Sequence, residues 1–138
     1  MNIYQEALKF KRKYPKTVAF RLKAHCKVAQ LHLNPDEKVQ YVFACQKNNY
    51  SYEIFRTFVV VVTDKRIFLA QKRLLFGYLF ITITPDMYND LSVMMGLLWG
   101  KICIDTVKEE THLSNIQKEA LPEIETKITQ FMLEAANN

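Results

Sequence analysis

Glycine is scarce in this chain, with three residues among 138, and proline contributes only four. That excludes a low-complexity or disordered polymer and leaves little material for a glycine-rich phosphate cradle. No P-loop, dinucleotide fingerprint or GxSxG element occurs. Long apolar runs are missing too. The longest unbroken one, Phe58 to Val62, has five residues, against the roughly 18 of a membrane span. The opening MNIYQEALKFKRKYPK has no apolar core followed by a small-residue cleavage site, so no export signal is expected. Cys26, Cys45 and Cys103 are odd in number, far apart and without a CxxC pair. They read as small buried hydrophobes in a reducing, cytoplasmic compartment.

Acidic residues are nearly absent from the first thirty positions, where Glu6 stands alone against eight basic side chains. The rest of the chain carries eleven basic and thirteen acidic residues, so the whole net charge of +5 comes from the N-terminal fifth. What is present is otherwise ordinary: 49% hydrophobic and 24% charged residues, a length suited to one domain, and enough chain to bury roughly two thirds of its surface.

Ile3, Ala7 and Phe10 share one helical face, and Pro15 ends that segment. Thr17 is expected to cap a second helix through about Leu31, with Val18, Leu22, Cys26 and Ala29 on one face. Beyond the Leu33–Glu37 turn the period changes to two. Val39, Tyr41, Phe43 and Cys45 alternate along a strand, and Ile54–Thr63 and Ile67–Gln71 read as two more. Thr63-Asp64-Lys65-Arg66 between them has the composition of a tight hairpin. Further strands are expected at Tyr78–Thr84, Asp90–Val93, Lys101–Glu109 and, briefly, Thr111–Leu113. Ile116, Ala120, Ile124, Ile128 and Phe131 then mark a closing amphipathic helix. Ser114 and Gln117 have capping-box spacing, while Pro122 suits a first helical turn. Two helices, six or seven antiparallel strands and a final helix predict a mainly β, α+β barrel or sandwich.

The segments VVVVTDKRIFLAQKRLLFGYLFITIT, NDLSVMMGLLWGKICID and NIQKEALPEIETKI, in that order, resemble the bacterial pleckstrin-homology (PH)-like domains. The positions that carry the resemblance are Thr63 to Arg66; Gly96, Leu97, Leu98, Gly100 and Lys101; and Asn115, Ile116 and Lys118, with Gln117 where the family usually has proline. It extends over about residues 35 to 135. It implies a bent antiparallel sheet of about seven strands, plugged by a C-terminal helix. The domain would occupy 34–138, preceded by a basic helical extension at 1–33. Lys65 and Arg66 are expected on a solvated turn.

Phosphoinositide binding does not transfer with that resemblance. The loop joining the first two strands, Gln46 to Glu53, offers Lys47, with Arg56 on the next strand and Glu53 opposing both. Two cations are few for an inositol polyphosphate. Catalysis finds no constellation either. His25, His32 and His112 show no HExxH-like spacing, and Asp86, Asp90 and Asp105 are scattered. No enzyme activity, metal, cofactor or small-molecule substrate is expected.

The candidate binding residues are Lys9, Lys11, Arg12, Lys13, Lys16, Arg21 and Lys23. An anionic membrane surface, on the inner face of the membrane, would gain about 1 kcal/mol from each cation near it. Nucleic acid would use the same charges. A solvated helical arm packed through its apolar face needs neither. Met94, Met95, Leu97, Leu98 and Trp99 place apolar bulk where a connection should be polar; they either plug the barrel or form an interface. An exposed sheet edge, implied by the resemblance, suits homo-oligomer formation or another protein partner by strand addition. The expected function is a non-catalytic binding and assembly module, with a nucleic-acid-associated accessory protein as the alternative.

Overall fold

The computed structural model describes residues 2–47, 56–73 and 76–136. Seven antiparallel strands form one bent sheet in the order β4-β3-β2-β1-β7-β6-β5. They are β1 (Val39–Gln46), β2 (Thr57–Thr63), β3 (Ile67–Lys72), β4 (Tyr78–Ile83), β5 (Tyr88–Met95), β6 (Trp99–Thr106) and β7 (Glu110–Gln117). Helices α1 (Ile3–Lys13) and α2 (Leu22–His32) precede them, and α3 (Leu121–Ala136) follows.

The sheet has two apolar faces in its first half and one in its second. Along β2 all seven side chains are buried. Phe58, Val60 and Val62 enter the inner core, where α3 inserts Leu121, Ile124, Ile128 and Phe131. Val59 and Val61 face the other way, with Val39, Val42, Phe68 and Ala70, against Ile3, Ala7, Cys26, Val28 and Ala29 of α1 and α2. The unbroken Phe58–Val62 run is therefore a strand covered on both sides. Strand β6, by contrast, alternates strictly between buried and half-buried residues and keeps its outer face in solvent.

Asn2 starts α1 by accepting the Gln5 amide at 3.2 Å. At the other end the Lys11 ammonium donates to the carbonyls of Pro15 and Thr17, tying the helix exit. Helix α2 begins at Leu22, four residues later than the Thr17 cap implies. The Thr17 hydroxyl instead accepts the Gln117 amide at 2.9 Å. Val18 N–H donates to Asn115 O at 2.9 Å, Gln46 Nε2 to Val18 O at 3.2 Å, and Phe20 N–H to the Thr57 hydroxyl at 3.0 Å. The reason lies in the sheet: among the described residues β1 and β7 pair only at Gln46 and Ser114. Residues 17–20 supply the hydrogen bonds that this seam lacks. Asn115, held at φ 57°, marks the irregularity in β7 where the connector docks.

Strand β7 is longer than the short Thr111–Leu113 strand read from the sequence, and this removes the capping box. Ser114 and Gln117 both lie in β7, and the Ser114 hydroxyl donates to Gln46 O at 3.3 Å. Helix α3 starts instead at Leu121 with Pro122 in its first turn. Strands β5 and β6 also meet further along than expected, so Met94, Met95 and Trp99 are strand residues and only Gly96 to Leu98 connect them. Gly100 is needed for close approach, since a Cβ there would lie 2.3 Å from Leu121 Cδ1.

The Thr63–Arg66 segment is a hairpin, but Arg66 is not solvated. The Thr63 hydroxyl accepts the amides of Lys65 and Arg66 at 3.1 Å, and Asp64 Oδ1 accepts the Lys38 amide at 2.8 Å. Arg66 folds inward, where its Nε and Nη2 donate to both carboxylate oxygens of Glu37 at 2.8 and 3.1 Å. Its Nη2 also donates to His32 O, which ties the hairpin to the end of α2. Lys65 alone keeps the exposed position expected of it.

His25 gives the fold a pH dependence. It is buried, and its Nδ1 accepts the Lys72 amide at 2.8 Å, which requires the neutral ring. Burial first, and then the Arg21 charge, lower its pKa from 6.5 to about 4. The unfolded chain binds a proton below 6.5 that the folded chain refuses until about 4, so stability is complete above 6.5 and falls with pH between those values. The expected slope is about 1.4 kcal/mol per pH unit. Urea unfolding from pH 7 to pH 4 should show it, and His25→Asn, whose amide oxygen can accept the same N–H, should flatten it.

Candidate functional site

The turn of the β5–β6 hairpin carries exposed apolar side chains. Gly96 closes its turn by donating to Trp99 O at 2.9 Å. Met94 and Met95 are over 60% exposed, Leu98 is 65% exposed and Leu97 is 89% exposed. These four do not plug the barrel; α3 already fills its end. Trp99 is half-buried, with its indole N–H donating to Lys16 O at 2.9 Å. That bond joins the apolar hairpin to the residues just beyond α1. Beside it the Lys118 ammonium donates to Leu97 O at 3.2 Å, and Lys101 lines the same hollow of about 410 Å³ as the hairpin side chains. Sequence reading missed Lys101 and Lys118, which gain their place only because β6 and the short 3-10 turn before α3 meet near the hairpin's turn.

The seven N-terminal cations do not form one patch. Lys9, Arg12, Lys16, Arg21 and Lys23 are exposed. Lys11 is half-buried and committed to the α1 exit, and desolvation lowers its pKa. Lys13 reaches Glu123 at 2.5 Å. Arg21 Nη1 donates to Lys72 O at 3.2 Å, at the β3–β4 end, whereas Lys16 sits at the β5–β6 hairpin. Lys9 and Lys13 line a separate cleft of about 240 Å³ between α1, β1 and α3, with Tyr41 and Lys127. Glu123 closes that cleft. It accepts from Tyr41 at 2.7 Å and from Tyr14 at 3.2 Å besides Lys13. Desolvation alone would raise the Glu123 pKa, but these donors outweigh it and leave the carboxyl below its ordinary value. This arrangement holds α1 against α3 and takes Lys13 out of the free positive charge of the cleft.

The phosphoinositide comparison rested on Gln46 to Glu53, and residues 48–55 lie outside the described set. Of the named cations there, Lys47 donates its backbone N–H to Arg56 O at 2.9 Å. No helix among the described residues is long and apolar enough to cross a membrane. The two buried cysteines, Cys26 and Cys45, have their thiols held well above the ordinary range by burial and so lack nucleophilic character at neutral pH.

Comparison with known proteins agrees with this geometry. The chain resembles in fold a solved pleckstrin homology domain from Shewanella amazonensis SB2B, with 14% sequence identity, a TM-score of 0.50, and coverage of 80% of this chain and 86% of that one. No curated protein matches the chain. The sequence model described as Bacterial PH domain matches residues 33–130, from the end of α2 into α3, and the chain belongs to that family.

Proposed function

We propose that this PH domain is a non-catalytic binding module that attaches to anionic membrane surfaces by its β5–β6 hairpin, steered by the lysines around it. The supporting observation is the Trp99–Lys16 hydrogen bond, which sets an exposed apolar prong beside the basic N-terminal segment. Leu97 and Leu98 supply apolar surface for the acyl boundary, while Lys16, Lys101 and Lys118 lie around the hairpin's turn. Three such cations contribute about 3 kcal/mol at an anionic leaflet. Insertion of two leucines adds roughly the same again. The result is reversible peripheral attachment.

Co-sedimentation with phosphatidylserine-containing and pure phosphatidylcholine vesicles tests this. The full chain should pellet with the anionic vesicles alone and be released as salt rises. Leu97→Asp/Leu98→Asp should reduce binding by at least about tenfold, and so should Lys16→Glu/Lys101→Glu/Lys118→Glu. Equal pelleting of wild type and both variants, or none at low salt, would sink the reading. Binding to nucleic acid that the leucine changes leave untouched would favour the accessory-protein alternative.

A second reading, homo-oligomer formation, is supported by the sheet edge. Among the described residues strand β4 pairs with β3 alone, and Phe76, Tyr78 and Leu79 are exposed at and beside it. A second copy could add a strand there. Light scattering would report a multiple of 16.2 kDa.

A further inference from the structure

The outer face of the β6–β7 hairpin brings together three different donor atoms. Cys103 stands opposite His112 in the cross-strand register, and Glu110 lies two residues before His112 on the same strand. Glu110 Oε2 is 3.4 Å from His112 Nε2 and 4.0 Å from Cys103 Sγ. One donor atom from each of the three residues lies within 4.8 Å of the others. A tetrahedral ion bound at about 2.0–2.3 Å holds its ligand atoms roughly 3.3–3.7 Å apart. The nitrogen–oxygen pair already has that separation, and the sulfur needs to close by about 1 Å at most. Thiol, carboxylate and imidazole all stand on paired strands, so only side-chain torsions have to change.

Charge at the same place is a second, independent observation. Asp105 sits directly across from Glu110, and Asp90 directly across from Asp105, so three carboxylates occupy successive cross-strand positions. Like charges in that relation repel. Among the described residues no lysine or arginine forms a salt bridge with any of them. A divalent ion held at Glu110 would relieve that repulsion.

We propose that Cys103, Glu110 and His112 form a site for a divalent transition-metal ion of the zinc class. Mixed sulfur, nitrogen and oxygen donors suit zinc or cobalt and are poor for magnesium or calcium, which take oxygen. As the sulfur–metal bond forms, the thiol releases its proton to solvent. Cys103 and His112 are half-buried and Glu110 is exposed, so a fourth position stays open to water. His112 Nδ1 is enclosed and has no hydrogen-bond partner among the described residues. The ring therefore lacks the acceptor that orients histidine in tight zinc sites, and the ion is exchangeable rather than structural.

Titration of the full-length, metal-free protein with cobalt(II) tests the site. Wild type should develop a thiolate-to-cobalt charge-transfer band and visible d–d bands that zinc displaces. Cys103→Ser should abolish the charge-transfer band. His112→Gln and Glu110→Gln should each weaken binding by about tenfold or more. Circular dichroism with an unchanged thermal midpoint would show that these outer-face variants remain folded. No band in the wild type would overturn the proposal, and so would a band that survives Cys103→Ser.

Discussion

A chain that begins at Leu33 will not reach the native barrel. Helices α1 and α2 lie outside the family match, yet they cover Val39, Val42, Val59, Val61, Phe68 and Ala70 on the outer face of the sheet. Uncovering those six side chains forfeits on the order of 10 kcal/mol of burial, which is the size of a whole domain's margin of stability. The deletion also removes Thr17 to Phe20 from the seam between β1 and β7. The shortened chain should be insoluble, or should bind hydrophobic dyes and melt without cooperativity. A soluble fragment that unfolds cooperatively within a few degrees of the full chain would show that the helices are dispensable.

Arg66→Met is expected to lower the unfolding free energy by about 3–5 kcal/mol. The Glu37 carboxylate side chain is 1% exposed, and Arg66 neutralises it through two hydrogen bonds. The guanidinium also lies 4.7 Å from the Phe68 ring centre and 5.4 Å from that of Phe80, so it fills space as well. Methionine keeps part of the packing and strands the carboxylate. Replacing both partners, Arg66→Met/Glu37→Leu, should recover most of the loss, because no buried charge is then left unpaired. Urea unfolding of the single and double variants measures this, and a loss below about 1 kcal/mol for Arg66→Met would contradict it.

The same pair predicts behaviour in acid. Desolvation pushes the Glu37 pKa up, but hydrogen bonds from Arg66 and Thr63 outweigh it, and the folded value lies below 4.5. The stability it contributes is present above the unfolded value of 4.5 and is lost as pH falls through the lower folded one. That window lies below most of the range in which His25 acts.

Much of the fold was legible because its signals are local. The change of period at Val39 marked the first strand, and Thr63-Asp64 marked the hairpin. Residues Gly96 to Lys101 and Asn115 to Lys118 carried the family resemblance. The misreadings share one cause, which is long-range demand on a locally ambiguous residue. Thr17 has the side chain of a helix cap, but the Gln117 amide claims it. Arg66 looks like a solvated turn residue until Glu37, twenty-nine positions earlier, is folded beside it. The apolar run at Phe58–Val62 is itself a sign of a second covering layer, since a strand apolar on both faces needs one. At the candidate site, the exposed hairpin was visible as misplaced apolar bulk. Its neighbour Lys16 was visible as charge, but the contact between them spans 83 positions and has no sequence signature.

The closure of the β1–β7 seam also sets an order of events during synthesis. The Lys16 and Thr17 groups that complete it meet Gln117 across 101 and 100 positions, so they leave the ribosome about a hundred residues before their partners. At translation rates of roughly 5–20 residues per second, that wait is about 5–20 s. Through it α1 and α2 hold apolar faces whose first cover, β1 to β3, emerges well ahead of β7. The nascent chain can therefore assemble a helix-backed half-sheet on the ribosome, but the barrel shuts only once β7 has emerged. A growing chain stalled before Gln117 would be open along one line, and that line is where a chaperone would find it.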